Sequence, residues 1–589
     1  MKTILTAAAL AASLMFAADA VARNPTDSEK LQQLFADERA EVYRADPLSA
    51  TYAGVHDYDD RLPSVTPAAQ AAQLAADREF LARLHAIPRN DALTAQEQVS
   101  YDLFDFMVSE RITLSRYNEW RLPFNSDSGF YSDLVLLQDS QPLRTTHDYE
   151  MYIARLNDFP RYFHEQIANL RQGVHDGFTL PAEIGEGVAR VIDGMHWTRA
   201  EDMGLYRPFA NFPDTVPQAD RARLTQAGHD AITNNVIPSF DQFRAYFDTE
   251  YRPHMRRSIA ASSLPNGRAY YADLVRYFTS EPDATPEAIH RIGLAEVARI
   301  HALMETTMRD AHFNGTMAEF IQFLRTDPQF YPKTADELLG RAALITREID
   351  GHLPQYFGHL PRTPYTVKPV PDEFAANYTA GRYNPGPTGA AGTYWVNTYA
   401  LNTRPLYALP ALTAHEAAPG HHIQGSIARE LTGLPAFRLN FYPNAFGEGW
   451  GLYSEKLAGE MGIYHTPYER FGALSYEMWR ACRLVVDTGM HSMGWTRQQA
   501  LDYLAANTAL SAHEIQTEVD RYIGWPGQAL AYKIGEMKIL ELRARAQQAL
   551  GDRFDIRAFD DAVLENGGVT LPVLERQINA YIAAAQAAH

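Results

Sequence analysis

The chain has 589 residues and a formal net charge of −19, with 46% hydrophobic and 21% charged residues. That length suits about two to four domains or one continuous helical body, and the composition is that of a soluble globular protein. The acidic balance argues against a nucleic-acid partner, which needs clustered Lys and Arg, and gives no support for docking on anionic lipid.

The N-terminus reads as a secretory signal peptide over residues 1–22. Lys2 supplies the positive start, residues 4–16 are apolar, and two small-x-small sites follow at Ala18-Asp19-Ala20 and Ala20-Val21-Ala22. The apolar run is shorter than the about 20 residues that span a bilayer. No Cys follows it to carry a lipid, and no later segment is apolar enough to cross a membrane. The expected location is therefore periplasmic or secreted, without a membrane anchor. The single cysteine, Cys482, excludes internal disulfides and a cysteine-based zinc site, and its apolar helical surroundings make it a packing residue.

Apolar residues at three- and four-residue spacing predict helices over 28–45, 67–86, 95–115, 146–173, 287–311 and 335–350. Asp27 or Ser28, Thr94, Thr145 and Thr334 stand at the expected N-caps. A stretch over 353–371 holds five prolines, which predicts a break from regular helix and a soft boundary. On this reading 23–370 form a helical N-terminal part and 371–589 a C-terminal catalytic part, which together can make one continuous domain. The clearest strand is 392–399, rich in aromatic and β-branched residues. Such a strand just upstream of the site predicts an edge, with Tyr394 and Val396, to which substrate backbone adds.

The chemistry is expected at His415-Glu416-Ala417-Ala418-Pro419-Gly420-His421-His422. A helical His-Glu-x-x-His places two imidazoles one turn apart toward one zinc, with the Glu as general base. Here the i+4 position is Pro419, so the pattern must be interrupted. On an undisturbed helix His421 lies about 120° around the axis from His415, and His422 about 10 Å along it. Pro419 forbids that helix and Gly420 adds backbone freedom. A bulge of two residues would return His421 to the metal, and one of three would return His422; His421 is preferred, the other orienting a ligand or contacting substrate. Downstream, Glu448 and Glu455 lie seven residues apart on one helical face. Glu448 is the expected third ligand, and Glu455 the carboxylate that holds a ligand histidine. Isolated His-Glu pairs are common on helix surfaces; the upstream strand and downstream glutamates single this one out. His491 lies four residues after Asp487, either as a substrate contact or in a buried pair. Arg483 and Arg521 could receive a substrate carboxylate, but structural salt bridges to Glu518 or Asp487 are the preferred reading. His513-Glu514 lacks a nearby second His and reads as helix surface.

Five ordered strings carry a family resemblance: Gly392-x-Tyr394-x-Val396-Asn397; His415-Glu416-x-x-Pro419-Gly420-His421-His422; Glu448-Gly449-Trp450-x-Leu452-Tyr453-x-Glu455; 483–491 with Trp495-Thr496; and Glu518-Val519-Asp520-Arg521-Tyr522 with 526–535. The chain resembles the bacterial domain of unknown function 885, densely over 380–540 and loosely over most of its length. Many of that family are lipoproteins, whereas this chain lacks the lipid-bearing Cys. The family is in turn similar to helical zinc metallopeptidases of the thimet oligopeptidase and angiotensin-converting enzyme type. That resemblance implies a mainly α fold with a deep cleft and a small β element beside the active site. It also implies one Zn2+ on His415, His421 and Glu448, with Glu416 as base. A downstream tyrosine would serve the developing oxyanion: Tyr532, with Tyr522 competing. The expected activity is hydrolysis of oligopeptides. The alternatives are a zinc amidase acting on envelope or small-molecule amides, and a peptide-binding protein without catalysis, which would not need Glu416.

Overall fold

The computed structural model describes residues 24–587 except 127, 376–377, 387–389 and 440. The signal-peptide expectation lies outside these residues. The fold is mainly α, with one small three-stranded sheet.

Threonine caps start many of the helices. Thr26 and Thr94 each accept the N–H of the Glu three residues on, whose carboxylate accepts the cap N–H in return. The first cap is thus Thr26, just before the expected Asp27 or Ser28. The run 146–173 divides into Thr146–Asn157 and Phe159–Asp176, because Pro160 lacks an N–H and its ring clashes with the preceding turn. Conversely, Ala335–Tyr356 continues through Pro354, inside the stretch expected to be broken. Pro354 lies in the last turn, where it removes a single hydrogen bond, and the Phe357 N–H still reaches the Leu353 carbonyl at 2.9 Å.

Residues from both sides of the proline-rich stretch share the same cores. Phe35 and Phe104 pack on Phe437 at ring separations of 5.0 and 5.4 Å. The helix Pro286–Asp310 lies along the long helix Pro467–Ser492 so closely that a Cβ on Gly293 would stand 2.7 Å from Leu484 Cβ. No described helix is long and apolar enough to cross a membrane.

The sheet comprises β1 (Tyr365–Pro369), β2 (Gly381–Asn384) and β3 (Gly392–Val396), in the order β1-β3-β2. The strand carrying Tyr394 and Val396 is therefore central, not an edge as expected. It pairs parallel with β1 and antiparallel with β2, and both side chains are buried. Alternation along 392–396 conveys which side chains face inward but not which neighbours pair with the backbone. The edge that meets the motif helix is β2: the Tyr383 N–H points away from β3 and donates to Glu416 Oε2 at 2.8 Å.

Candidate metal centre

The motif helix Leu409–Glu416 ends where Pro419 requires, and a second helix, His421–Glu430, begins after a four-residue interruption. The interruption contains a cis Ala418–Pro419 peptide and keeps its backbone bonded: Gly420 N–H to the Ala414 carbonyl at 3.0 Å, His422 N–H to that of Ala417 at 3.1 Å. Gly420 is required here, since a Cβ would lie 1.9 Å from the His415 carbonyl oxygen. Trp450 Nε1 pins the break by donating to the Pro419 carbonyl at 3.0 Å.

The fold of this loop brings the His421 ring edge-on to His415, at 4.8 Å between centroids and 90° between planes. Glu448, on the glutamate helix Asn444–Glu460, completes the cluster. Its Oε2 lies 3.7 Å from His415 Nε2 and 3.6 Å from His421 Nε2. One ligand atom from each of the three falls within 4.8 Å of the others. A tetrahedral zinc with bonds of about 2.0–2.2 Å sets its ligand atoms about 3.3–3.6 Å apart, which the two His–Glu separations approach. Glycine also makes room for the first ring, because a Cβ on Gly451 would lie 2.6 Å from His415 Cε1.

Groups behind the cluster fix how it is presented. His415 Nδ1 bonds Glu455 Oε1 at 2.8 Å, leaving Nε2 toward Glu448. Glu455 is buried and also pairs with Arg480 at 3.2 Å. His421 Nδ1 faces Gln424 Oε1 at 3.4 Å, and Tyr442 Oη donates to Glu448 Oε1 at 3.3 Å. Burial works against a charged His415, yet the carboxylates of Glu448, Glu455 and Glu416 outweigh it and raise its pKa to about 10. Burial likewise acts to raise Glu448, and the two imidazoles hold it well below the usual carboxylate range. His415, His421 and Glu448 form a donor set that could hold a metal ion, and the donor types suit zinc.

His422 turns away from this cluster. Its Nδ1 meets Tyr383 Oη at 3.0 Å and Ser426 Oγ at 3.3 Å, its ring packs 4.3 Å from Tyr365, and burial lowers its pKa to about 4. Tyr532 begins the tyrosine helix Ala531–Leu550, its ring 6.5 Å from and nearly parallel to His415, its hydroxyl accepting from Arg521 Nη2 at 3.2 Å. Tyr522 is a core residue, its hydroxyl accepting from Trp479 Nε1 and Arg483 Nε, each at 2.8 Å. His491 is also internal: Nδ1 accepts the Ala261 N–H at 3.0 Å and Nε2 donates to the Tyr522 carbonyl at 2.9 Å. Burial pushes its pKa down to about 3. Asp487 does not bond His491. It accepts from Tyr271 Oη and the Gly527 N–H, and burial raises it to about 7. Arg483 and Arg521 both pair with Glu518. Gln424, Arg480, Tyr383 and Tyr442 were not singled out from the sequence. Gln424 was within reach, three residues after His421 on one helix, whereas the others arrive through tertiary packing.

A mainly α body with a small sheet beside a cluster of two histidines and one glutamate is the class that fold and site define. A family model described as bacterial protein of unknown function (DUF885) matches residues 47–578, and the chain belongs to that family. Among solved structures, a "putative lipoprotein" from Colwellia psychrerythraea is similar with 28% identity and a TM-score of 0.86, over 95% of this chain and 100% of that one. A second, of unknown function and from Shewanella oneidensis, shares the fold at 19% identity and a TM-score of 0.72, over 94% and 100%. No curated protein matches the chain.

Proposed function

We propose that the protein is an exported zinc hydrolase that cleaves peptide bonds of oligopeptides. The observation that carries the proposal is the approach of His415, His421 and Glu448 to within 4.8 Å, beside a second glutamate, Glu416, that is not part of the donor set. The order of these residues is also that of the helical zinc peptidases the sequence resembles. Export is supported by the signal-like N-terminus and by the lipoprotein description of the Colwellia relative.

Zinc held there would act as a Lewis acid on the scissile carbonyl and lower the pKa of an attacking water. Glu416 takes the proton of that water and returns it to the leaving amine. Its Oε2 is tethered by the Tyr383 N–H, which leaves Oε1 for the proton. Tyr532, beside His415 and polarised by Arg521, donates its hydroxyl to the developing oxyanion. Glu455 holds His415 by Nδ1 so that Nε2 stays a ligand.

Mass spectrometry of a mixed peptide pool incubated with the purified zinc-loaded protein tests this reading. Cleavage should stop with a chelator and fall at least about 100-fold in Glu416→Gln. Cleavage that survives both treatments, or an intact pool with the wild type, contradicts it.

A further inference from the structure

Guanidinium groups gather around Tyr532. Arg483 lies 4.2 Å over the Tyr532 ring, and Arg521 donates to its hydroxyl. These two share one carboxylate, Glu518, at 2.8 and 3.4 Å. A third guanidinium, Arg382, comes from β2, and its charge interacts with Arg521, Glu416 and Tyr532. Arg382 is exposed, lies 5.2 Å over the Tyr378 ring, and makes no ion pair or hydrogen bond with a described residue. Its strand neighbour Tyr383 is the residue whose N–H tethers Glu416. An arginine without an ion pair among the described residues thus flanks both the base and the oxyanion donor, in a chain whose net charge is −19. Held near the guanidinium of Arg521, Arg382 has a planar fork that suits a carboxylate.

We infer that Arg382, backed by Arg521, binds the free C-terminal carboxylate of the substrate, so that the protein removes short pieces from peptide C-termini. Tyr532 spans the distance between His415 and Arg521, and each extended residue covers about 3.5 Å. A carboxylate reaching Arg521 therefore lies one or two residues beyond the scissile bond. This inference rests on the hydrolase reading, and its test separates the two.

Three peptides of one sequence are compared: a free acid, a C-terminal amide, and an amide with Glu as its last residue. Binding is measured by calorimetry on zinc-loaded Glu416→Gln, with and without Arg382→Gln; cleavage is followed by mass spectrometry on the wild type. The free acid should bind about 10- to 100-fold more tightly than either amide. Arg382→Gln should bring that ratio close to one, and products should be one or two residues shorter at the C-terminus. Equal binding of acid and amide, no binding of any peptide, or an undiminished ratio in Arg382→Gln overturns the inference. Tight binding of the Glu amide would instead assign Arg382 to an acidic side chain and overturn the C-terminal assignment. Preferential binding of the acid without cleavage by the wild type would retire the hydrolase reading and, with it, the trimming activity, leaving a carboxylate-binding site.

Discussion

His415 has both ring nitrogens committed, Nδ1 to Glu455 and Nε2 toward Glu448. A histidine whose ring is held in this way loses little entropy when it takes a metal. Glu455→Gln should therefore keep the fold and weaken zinc affinity about 10- to 100-fold, measured by competition with a chromogenic chelator; unchanged affinity would make Glu455 a packing residue. Much of this was legible from spacing, because Glu448 and Glu455 share a helical face whatever the tertiary structure. The roles of His421 and His422 were not. They depend on how many residues the break absorbs, which is set by the backbone bonds of Gly420 and by Trp450, 31 residues away in sequence.

At the scale of elements, the glutamate and tyrosine helices cross in direct contact. A Cβ on Gly535 would stand 1.7 Å from the Ala445 carbonyl oxygen, and one on Gly449 2.4 Å from the Gly535 carbonyl carbon. The crossing sets Glu448 and Tyr532 relative to one another. Gly535→Ala should cost about 3 kcal/mol of stability and displace both side chains, lowering the melting temperature together with metal content. Gly451→Ala makes the contrasting case: its Cβ would strike the His415 ring first, so metal should be lost with a smaller fall in melting temperature. Equal falls in the two variants would contradict this division. Helix caps such as Thr94, Thr145 and Thr334 were readable from the sequence because they act within one turn, whereas the first cap fell on Thr26 and not on Asp27 or Ser28. The centrality of β3 was not, because β1 and β2 carry little periodicity of their own.

Across the whole molecule, buried imidazoles link the fold to pH. His491 joins the long helix to the Ala261 and Tyr522 backbones and stays neutral, with a folded pKa near 3, below its ordinary value of 6.5. A depressed value means that its contribution is present above pH 6.5 and is lost as pH falls toward 3, by up to about 1.4 kcal/mol per pH unit. His422, at about 4, acts in the same sense. His491→Gln can accept and donate the same bonds without titrating, so its melting temperature should fall less steeply than that of the wild type between pH 6.5 and 4. Parallel curves would contradict the assignment. The helical class was legible from periodicity throughout. The sharing of cores across the proline-rich stretch was not, since contacts such as Phe35 with Phe437 join residues about 400 positions apart.

Whether the histidine–glutamate cluster holds zinc can be read from the metal content of the purified mature chain, by plasma mass spectrometry, beside Glu416→Ala and His421→Ala. The expected result is about one zinc per chain in the wild type and in Glu416→Ala, and its loss in His421→Ala. A wild type that takes up no metal after reconstitution with zinc, or a His421→Ala that keeps it, would contradict the metal centre and the hydrolase built on it.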